Sequence, residues 1–299
     1  MKWKDRRRSS NVEDRRGQSS SGRRIGGGLG TMLIPLILKL ITTKKGLIIV
    51  AIVAALMYFT GTNPLHFLTG GGNSNNQIVN SGSYKGTPKE NELAAFSATV
   101  LADTEDVWNK ILSNYREPVL VLFSRSVSSA CGNASSATGP FYCPADNKLY
   151  IDLSFFEEME VKMNAPGDFA QAYVIAHEVG HHIQNITGIS GKVQRMRGQV
   201  SKTEYNKYSV MLELQADFLA GVWAHHSQKM NRMMEKGDLE EALNAAFAIG
   251  DDRLQKQATG RVVPDSFTHG TSEQRMRWFK KGFDTGDINQ GDTFNAPFL

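Results

Sequence analysis

The spacing of apolar and polar positions divides the chain into a head, an uncharged middle and a patterned body. After Lys45 the next charged residue is Lys85, and Gly46 to Thr60 reads GLIIVAIVAALMYFT, which is almost wholly apolar. Continued to Leu68, this gives 23 residues without a formal charge. A helix needs about 20 mainly apolar residues to cross a hydrocarbon core, so residues 46–68 are expected to form one transmembrane helix. A cleaved signal peptide and a buried soluble helix are the alternatives. The basic stretch before the run is long for a signal peptide, and no A-x-A cleavage site follows it. A second apolar run, Met32 to Ile41, is too short to span alone and is broken by Pro35 and Lys39. It is expected to lie in the membrane interface.

The body begins near Asn91. Residues 91–113 have helical spacing, with Leu93, Phe96, Val100, Val107 and Ile111 facing inward. PVLVLFS at 118–124 reads as a buried strand, and KLYIDLS at 148–154 alternates as a second one. Beyond these the pattern is mainly helical. The fold class expected is therefore α+β, mainly α-helical with a small sheet. The organisation expected is a basic disordered head (1–45), the span (46–68), a Gly/Asn/Ser-rich linker (69–90), a folded domain (91–284) and a loose polar tail (285–299).

Charge adds orientation. The formal net charge of +4 splits into +9 for residues 1–45, with twelve Lys and Arg against three acids, and −5 for the rest. A basic head on a mildly acidic body argues against a nucleic-acid binder. Lys and Arg beside a span are retained on the cytoplasmic side. The expected site is thus the bacterial cytoplasmic membrane, with the N-terminus inside and the body outside, in the periplasm. In that compartment Cys131 and Cys143, 12 apart on a small-residue loop, either pair as a disulfide or remain two free thiols. Pairing would stabilise by about 3 kcal/mol on the loop-entropy account.

The chemistry concentrates at DFAQAYVIAHEVGHHIQN, residues 168–185. The apolar spacing predicts a helix opened at Pro166-Gly167-Asp168 and closed near Gly188. It contains His177-Glu178-Val179-Gly180-His181, an H-E-x-x-H motif. Residues four apart share a helix face, so both imidazoles can bind one Zn²⁺. Glu178 lies about 100° further round, where it can reach a water beside the metal as general base. Gly180 leaves room for a close helix crossing. The third ligand expected is Glu213, in MLELQAD on a second helix over about 203–224. Asp217, four residues on, would accept the free N–H of a ligating His and fix its tautomer. His225, Glu204 and His269 are reserve ligands. His182 reads as packed or surface, and His225-His226 as a C-terminal cap of the second helix. If the domain resembles zincins, the strand at 148–154 is expected to form the substrate-facing edge, with Gly139-Pro140 and Tyr150 bordering the cleft; the alternative is an ordinary edge strand covered by a loop.

These residues resemble known families. The H-E-x-x-H helix followed by E-x-x-A-D resembles the gluzincin class of zinc metallopeptidases. The strings ACG (130–132), GPFYCPAD (139–146), YVIAHEVGHHIQN (173–185), ELQAD (213–217) and FTHGTSEQRMRWFKKGF (267–283), with the KWKDRRRSSNVEDRRG head, resemble a bacterial neutral zinc metallopeptidase family of single-span membrane proteins. The resemblance covers nearly the whole chain and implies a zincin-like domain. Thr268-His269-Gly270 with Arg275 is similar to the T-H-P-x-x-x-x-R segment of integral-membrane gluzincins, where the His supports the transition state. Gly270 here replaces the Pro. On that likeness His269 is a catalytic candidate, against a packed or capping histidine, and Arg275 supports the site.

The expected function is a membrane-anchored zinc peptidase with one Zn²⁺ per chain and a peptide or protein substrate. The alternative is a metal-stabilised module that holds an envelope protein without cutting it. A third reading, an anchored structural protein, would need no metal.

Overall fold

The computed structural model describes residues 1–18 and 84–299; elements are numbered among these. The two apolar runs pair as parallel strands, β2 (Val119–Phe123) and β6 (Lys148–Asp152), in register with Val121 opposite Tyr150. Both are almost wholly buried, which suits central strands covered on two faces. β1 (Val12–Asp14) extends the sheet in parallel beyond β2, and β5 (Phe141–Cys143) closes the far side antiparallel to β6. The order is β1-β2-β6-β5. The 148–154 strand is thus interior, and β5 takes the edge that was expected of it. β3 (Ser126–Ser129) and β4 (Gly132–Ser135) form a separate hairpin. Cys131, between them, is disulfide-bonded to Cys143 of β5, with Cα atoms 5.8 Å apart.

α1 (Pro88–Ile111) starts at a capping box, where the Thr87 side chain accepts from the Glu90 amide and Glu90 accepts from the Thr87 amide. Residues 84–90, expected as linker, belong to this start. α2 (Ser154–Val161) leads to α3 (Asp168–Ile186), which carries the H-E-x-x-H motif. Nearly every residue of α3 from Phe169 to Gln184 is buried, so it runs through the core rather than along its surface. α4 (Ile189–Met196) turns away at Gly188, and α5 (Lys202–Asn231) packs across α3. α5 continues seven residues past the expected end at 224, so His225 and His226 lie inside it. Their rings reach the Phe283 and Gly286 carbonyls at the end of α8 (Ser272–Thr285). α6 (Asp238–Ala248) and α7 (Asp251–Thr259) fill the interval.

α5 and α8 cross at glycines. A Cβ on Gly221 would stand 2.0 Å from the Phe279 carbonyl, and one on Gly282 would stand 2.0 Å from the Phe218 carbonyl. Only backbone fits there, and this approach lets a side chain of α8 reach α3.

Two expectations are corrected. Residues 1–18 are not a disordered head; they are built into the domain. Trp3 packs edge-on against Phe96 at 5.4 Å between ring centroids. Arg7 pairs with the buried Glu105 at 2.9 Å, and Ser9 donates to the same carboxylate. The Met1 ammonium sits between Asp168 and Glu235, 3.0 Å from each. Among the head's positive side chains, Arg7 is paired with Glu105 and Asp106, and Arg16 with Asp14. The chain then leaves and returns at one place, since Gly17 lies against the Tyr84 ring. The tail is not loose either. Gln215 donates to the Gly291 carbonyl at 2.8 Å and Thr293 to the Met211 carbonyl at 2.6 Å, fixing it on α5.

No helix among the described residues is long and apolar enough to cross a membrane. The expected span at 46–68, the interfacial run at 32–41 and the linker to residue 83 lie outside the described residues. A single crossing would put residues 1–18 and 84–299 on opposite faces of a membrane. Their packing in one unit conflicts with that topology, and with an N-terminus inside and a body outside.

Candidate metal centre

His177 and His181 project from one face of α3, as their spacing of four dictates, with ring centroids 4.8 Å apart. Glu213 comes from α5. Its Oε2 lies 3.2 Å from His177 Nε2 and its Oε1 lies 3.4 Å from His181 Nε2. Ligand atoms of all three lie within 4.8 Å of one another. Around a tetrahedral zinc with arms of about 2.0–2.1 Å, ligand atoms stand about 3.3 Å apart. The donor set, two imidazole nitrogens and one carboxylate, and its spacing both fit Zn²⁺. Gly180 makes the convergence possible, because a Cβ there would stand 2.9 Å from the Ala216 carbonyl of α5.

Each of the two rings is held from behind. His177 Nδ1 lies 2.8 Å from Asp217 Oδ1, and His181 Nδ1 lies 2.9 Å from Gln184 Oε1. Both contacts leave Nε2 toward Glu213. Gln184 is itself fixed, donating to the Leu212 carbonyl at 2.7 Å and to Gln215 at 3.1 Å. Asp217 is fully buried and would be costly there unpaired. Arg275 of α8 clamps it with two bonds, Nε to Oδ2 at 2.8 Å and a terminal nitrogen to Oδ1 at 2.9 Å. The Tyr173 hydroxyl donates to Asp217 Oδ1 as well.

The electrostatics follow from these pairs. Burial opposes a charge on His177, but Asp217 outweighs it and raises the ring to about 9. Burial likewise opposes ionisation of Glu213, yet the two histidines hold it well below the usual carboxylate range. A cation bound between them would have to displace the proton that these pairs favour on His177.

The centre opens into a cleft of about 580 Å³. Glu178, mostly buried, lines it beside the histidines. One wall is Gly139, Pro140, Phe141 and Tyr142, at and before edge strand β5. Phe155 lies against Gly139, and Met163, Val174, Ile249 and Leu254 add further apolar lining. His269 lines the same cleft. Its ring is held by Asp251, with Nδ1 3.2 Å from Oδ1.

The profile of the family described as "Putative neutral zinc metallopeptidase" matches residues 1–294. The chain belongs to this family. Among its relatives, the uncharacterized protein YpfJ of Escherichia coli strain K12 is 50% identical over 298 residues, covering 98% of this chain and 99% of that protein. The uncharacterized protein Mb2605 of Mycobacterium bovis is 42% identical over 203 residues, covering 64% of this chain and 68% of its own length. No solved structure matches.

The zinc metallopeptidase family match spans the head as well as the domain, in keeping with their joint packing. Of the residues singled out from the sequence, His177, Glu178, His181, Glu213, Asp217, His269 and Arg275 are gathered at one centre. Of the reserve ligands, His225 bonds the end of α8 instead and Glu204 sits in the first turn of α5. His182 is buried and bonded to the Tyr142 hydroxyl at 3.0 Å. Tyr150 does not border the cleft; it is buried on β6 with its ring stacked on Phe141 and its hydroxyl on Asp146 at 2.8 Å. Gln184, Tyr173 and Asp251 were not foreseen. Gln184 and Tyr173 carry a weak signal, since at three after His181 and four before His177 they share the helix face of the ligands. Asp251 carries none, because it is remote in sequence from everything it touches.

Proposed function

We propose that this chain is a zinc-dependent peptidase that hydrolyses peptide bonds, with His177, His181 and Glu213 holding one Zn²⁺ and Glu178 as general base. The observation that carries the reading is the convergence of His177 Nε2 and His181 Nε2 on the two oxygens of Glu213, at 3.2 and 3.4 Å. Zinc in such a site lowers the pKa of water to near 7 and polarises a carbonyl oxygen. Asp217 and Gln184 keep the imidazoles in the tautomer that offers Nε2. Arg275 balances the Asp217 charge, so the buried carboxylate can hold His177 without being protonated itself. Glu178 takes the proton of the attacking water and returns it to the leaving amine. His269, which lines the same cleft, donates to the carbonyl oxygen as it gains negative charge.

The substrate proposed is an extended segment of polypeptide. β5 is a sheet edge along one wall of the cleft, and a peptide can add to such an edge by main-chain pairing. The apolar wall then favours a large apolar side chain next to the scissile bond.

The compartment proposed is extracytoplasmic, which the Cys131–Cys143 disulfide supports. Any membrane contact made through the uncharged stretch at 46–68 has to return the chain to the side it left, because residues 1–18 and 84–299 pack together.

The test is turnover of a quenched fluorescent peptide library by purified protein, with and without a zinc chelator. Cleavage that stops on chelation and resumes with Zn²⁺ supports the reading. Bound zinc with no cleavage of any peptide would favour the non-cleaving module.

A further inference from the structure

His269 sits on a turn between α7 and α8 that has little regular structure of its own. A side chain on such a turn cannot hold a donor within catalytic tolerance unless something fixes it. One carboxylate does so. Asp251 Oδ2 accepts the backbone amides of Thr268 at 2.7 Å, His269 at 2.6 Å and Gly270 at 3.1 Å. The Asp251 amide donates back to the Gly270 carbonyl at 2.9 Å. The remaining oxygen, Oδ1, lies 3.2 Å from His269 Nδ1. Thr268 Oγ1 touches the same nitrogen at 3.0 Å.

Gly270 is what allows this. Its φ is +90°, a value proline cannot adopt, and its amide is one of the three donors, which proline would lack. The turn therefore departs from the T-H-P segment it resembles in sequence. A neighbouring pair secures the approach. Gly250 has no room for a Cβ, which would fall 2.3 Å from the Ser272 amide. Asp252 accepts from that amide at 2.8 Å.

We infer that Asp251 is the positioning residue for His269: it fixes the turn through three amides and holds Nδ1, so that Nε2 is the ring nitrogen presented to the cleft. An acceptor at Nδ1 also matters chemically. A neutral ring protonated at Nδ1 has no proton on Nε2, so donation from Nε2 requires the imidazolium, and a carboxylate at Nδ1 stabilises that form. The Asp251 hydrogen bond raises the His269 pKa above its ordinary value, against the effect of burial. The inference rests on the peptidase reading for its consequence, but the Asp251–His269 arrangement is independent of it.

The experiment has two arms on the full chain. The first is nitrogen NMR of histidine-labelled protein, with His269→Ala used to assign the ring. The expected result is an Nδ1 that carries a proton in the wild type, with a signal that moves in Asp251→Asn. A bare Nδ1 in the wild type overturns the inference whether or not any peptide is cut. The second arm is a double-mutant cycle on the best library peptide. Asp251→Asn should lower kcat at least tenfold with KM and zinc content nearly unchanged. In a His269→Ala background it should lower kcat less than twofold further. An undiminished loss in that background would mean that Asp251 acts only on stability, and the inference fails. A wild type that cleaves nothing sinks the peptidase reading and leaves the NMR arm to decide Asp251. If Asp251→Asn does not fold, the wild-type spectrum decides alone.

Discussion

Gly180 of α3 lies so close to Ala216 of α5 that a Cβ would stand 2.9 Å from the Ala216 carbonyl oxygen and 3.0 Å from its Cα. This contact sets the distance between the two helices that carry the ligands. Backbone cannot yield as a flexible side chain can, so Gly180→Ala should push α5 away. We expect a loss of about 1–3 kcal/mol in stability, the usual cost of overpacking. Zinc binding should weaken with it, because Glu213 moves with α5. Thermal unfolding with and without chelator measures both. Unchanged zinc affinity would show that the crossing does not set the ligand geometry.

The two histidines proposed as zinc ligands are held by different chemistry, a carboxylate behind His177 and an amide behind His181. Gln184→Ala removes the second and should lower zinc affinity by about 10–100-fold, the range seen when such partners are lost. Asp217→Asn should do at least as much, since it also leaves the buried Arg275 without its countercharge. Competition against a chromophoric chelator reads both. Wild-type affinity in Gln184→Ala would mean that packing alone holds His181.

The sequence was most legible where chemistry and helical period coincide. H-E-x-x-H, Glu213 and Asp217 could be located because spacings of four are decisive on a helix and because buried charges need partners. The two central strands were legible as apolar runs. What failed depended on long-range partners. The first 18 residues look disordered by composition, yet Arg7 finds Glu105 and Asp106, and Arg16 finds the Glu90 carbonyl. β5 is only three residues long and gives no periodic signal, so the longer β6 was mistaken for the edge. Asp251 has no local pattern at all; its significance exists only once α7 and the 268–272 turn meet.

The packing of residues 1–18 makes a topological prediction. Arg8 on the head and Glu273 on the domain are both exposed. Arg8→Cys and Glu273→Cys should react alike with a membrane-impermeant maleimide applied to intact cells with a permeabilised outer membrane. Labelling of Glu273→Cys alone would restore the single crossing and contradict the observed packing.

The docking of β1 should weaken in acid. The ion pair with Lys148, partly opposed by burial and aided by Arg15, holds Glu13 below its ordinary value of 4.5. A carboxylate depressed in the folded state contributes stability that is present above its unfolded pKa and lost as pH falls through the folded one. Amide exchange at Arg15, which donates to Leu122 at 2.8 Å, should therefore speed up below about pH 4.5 relative to the α3 core. In Glu13→Gln that pH dependence should shrink. An identical acid response in the variant would place the titrating group elsewhere.

The central claim is that one centre both holds zinc and activates water. The most direct measurement is zinc content and peptide turnover of wild type and Glu178→Gln, purified side by side. The account predicts one zinc per chain in both proteins, with turnover in the variant lower by about 10²–10⁴-fold. Equal turnover in the two proteins, or a wild type without zinc, would contradict it.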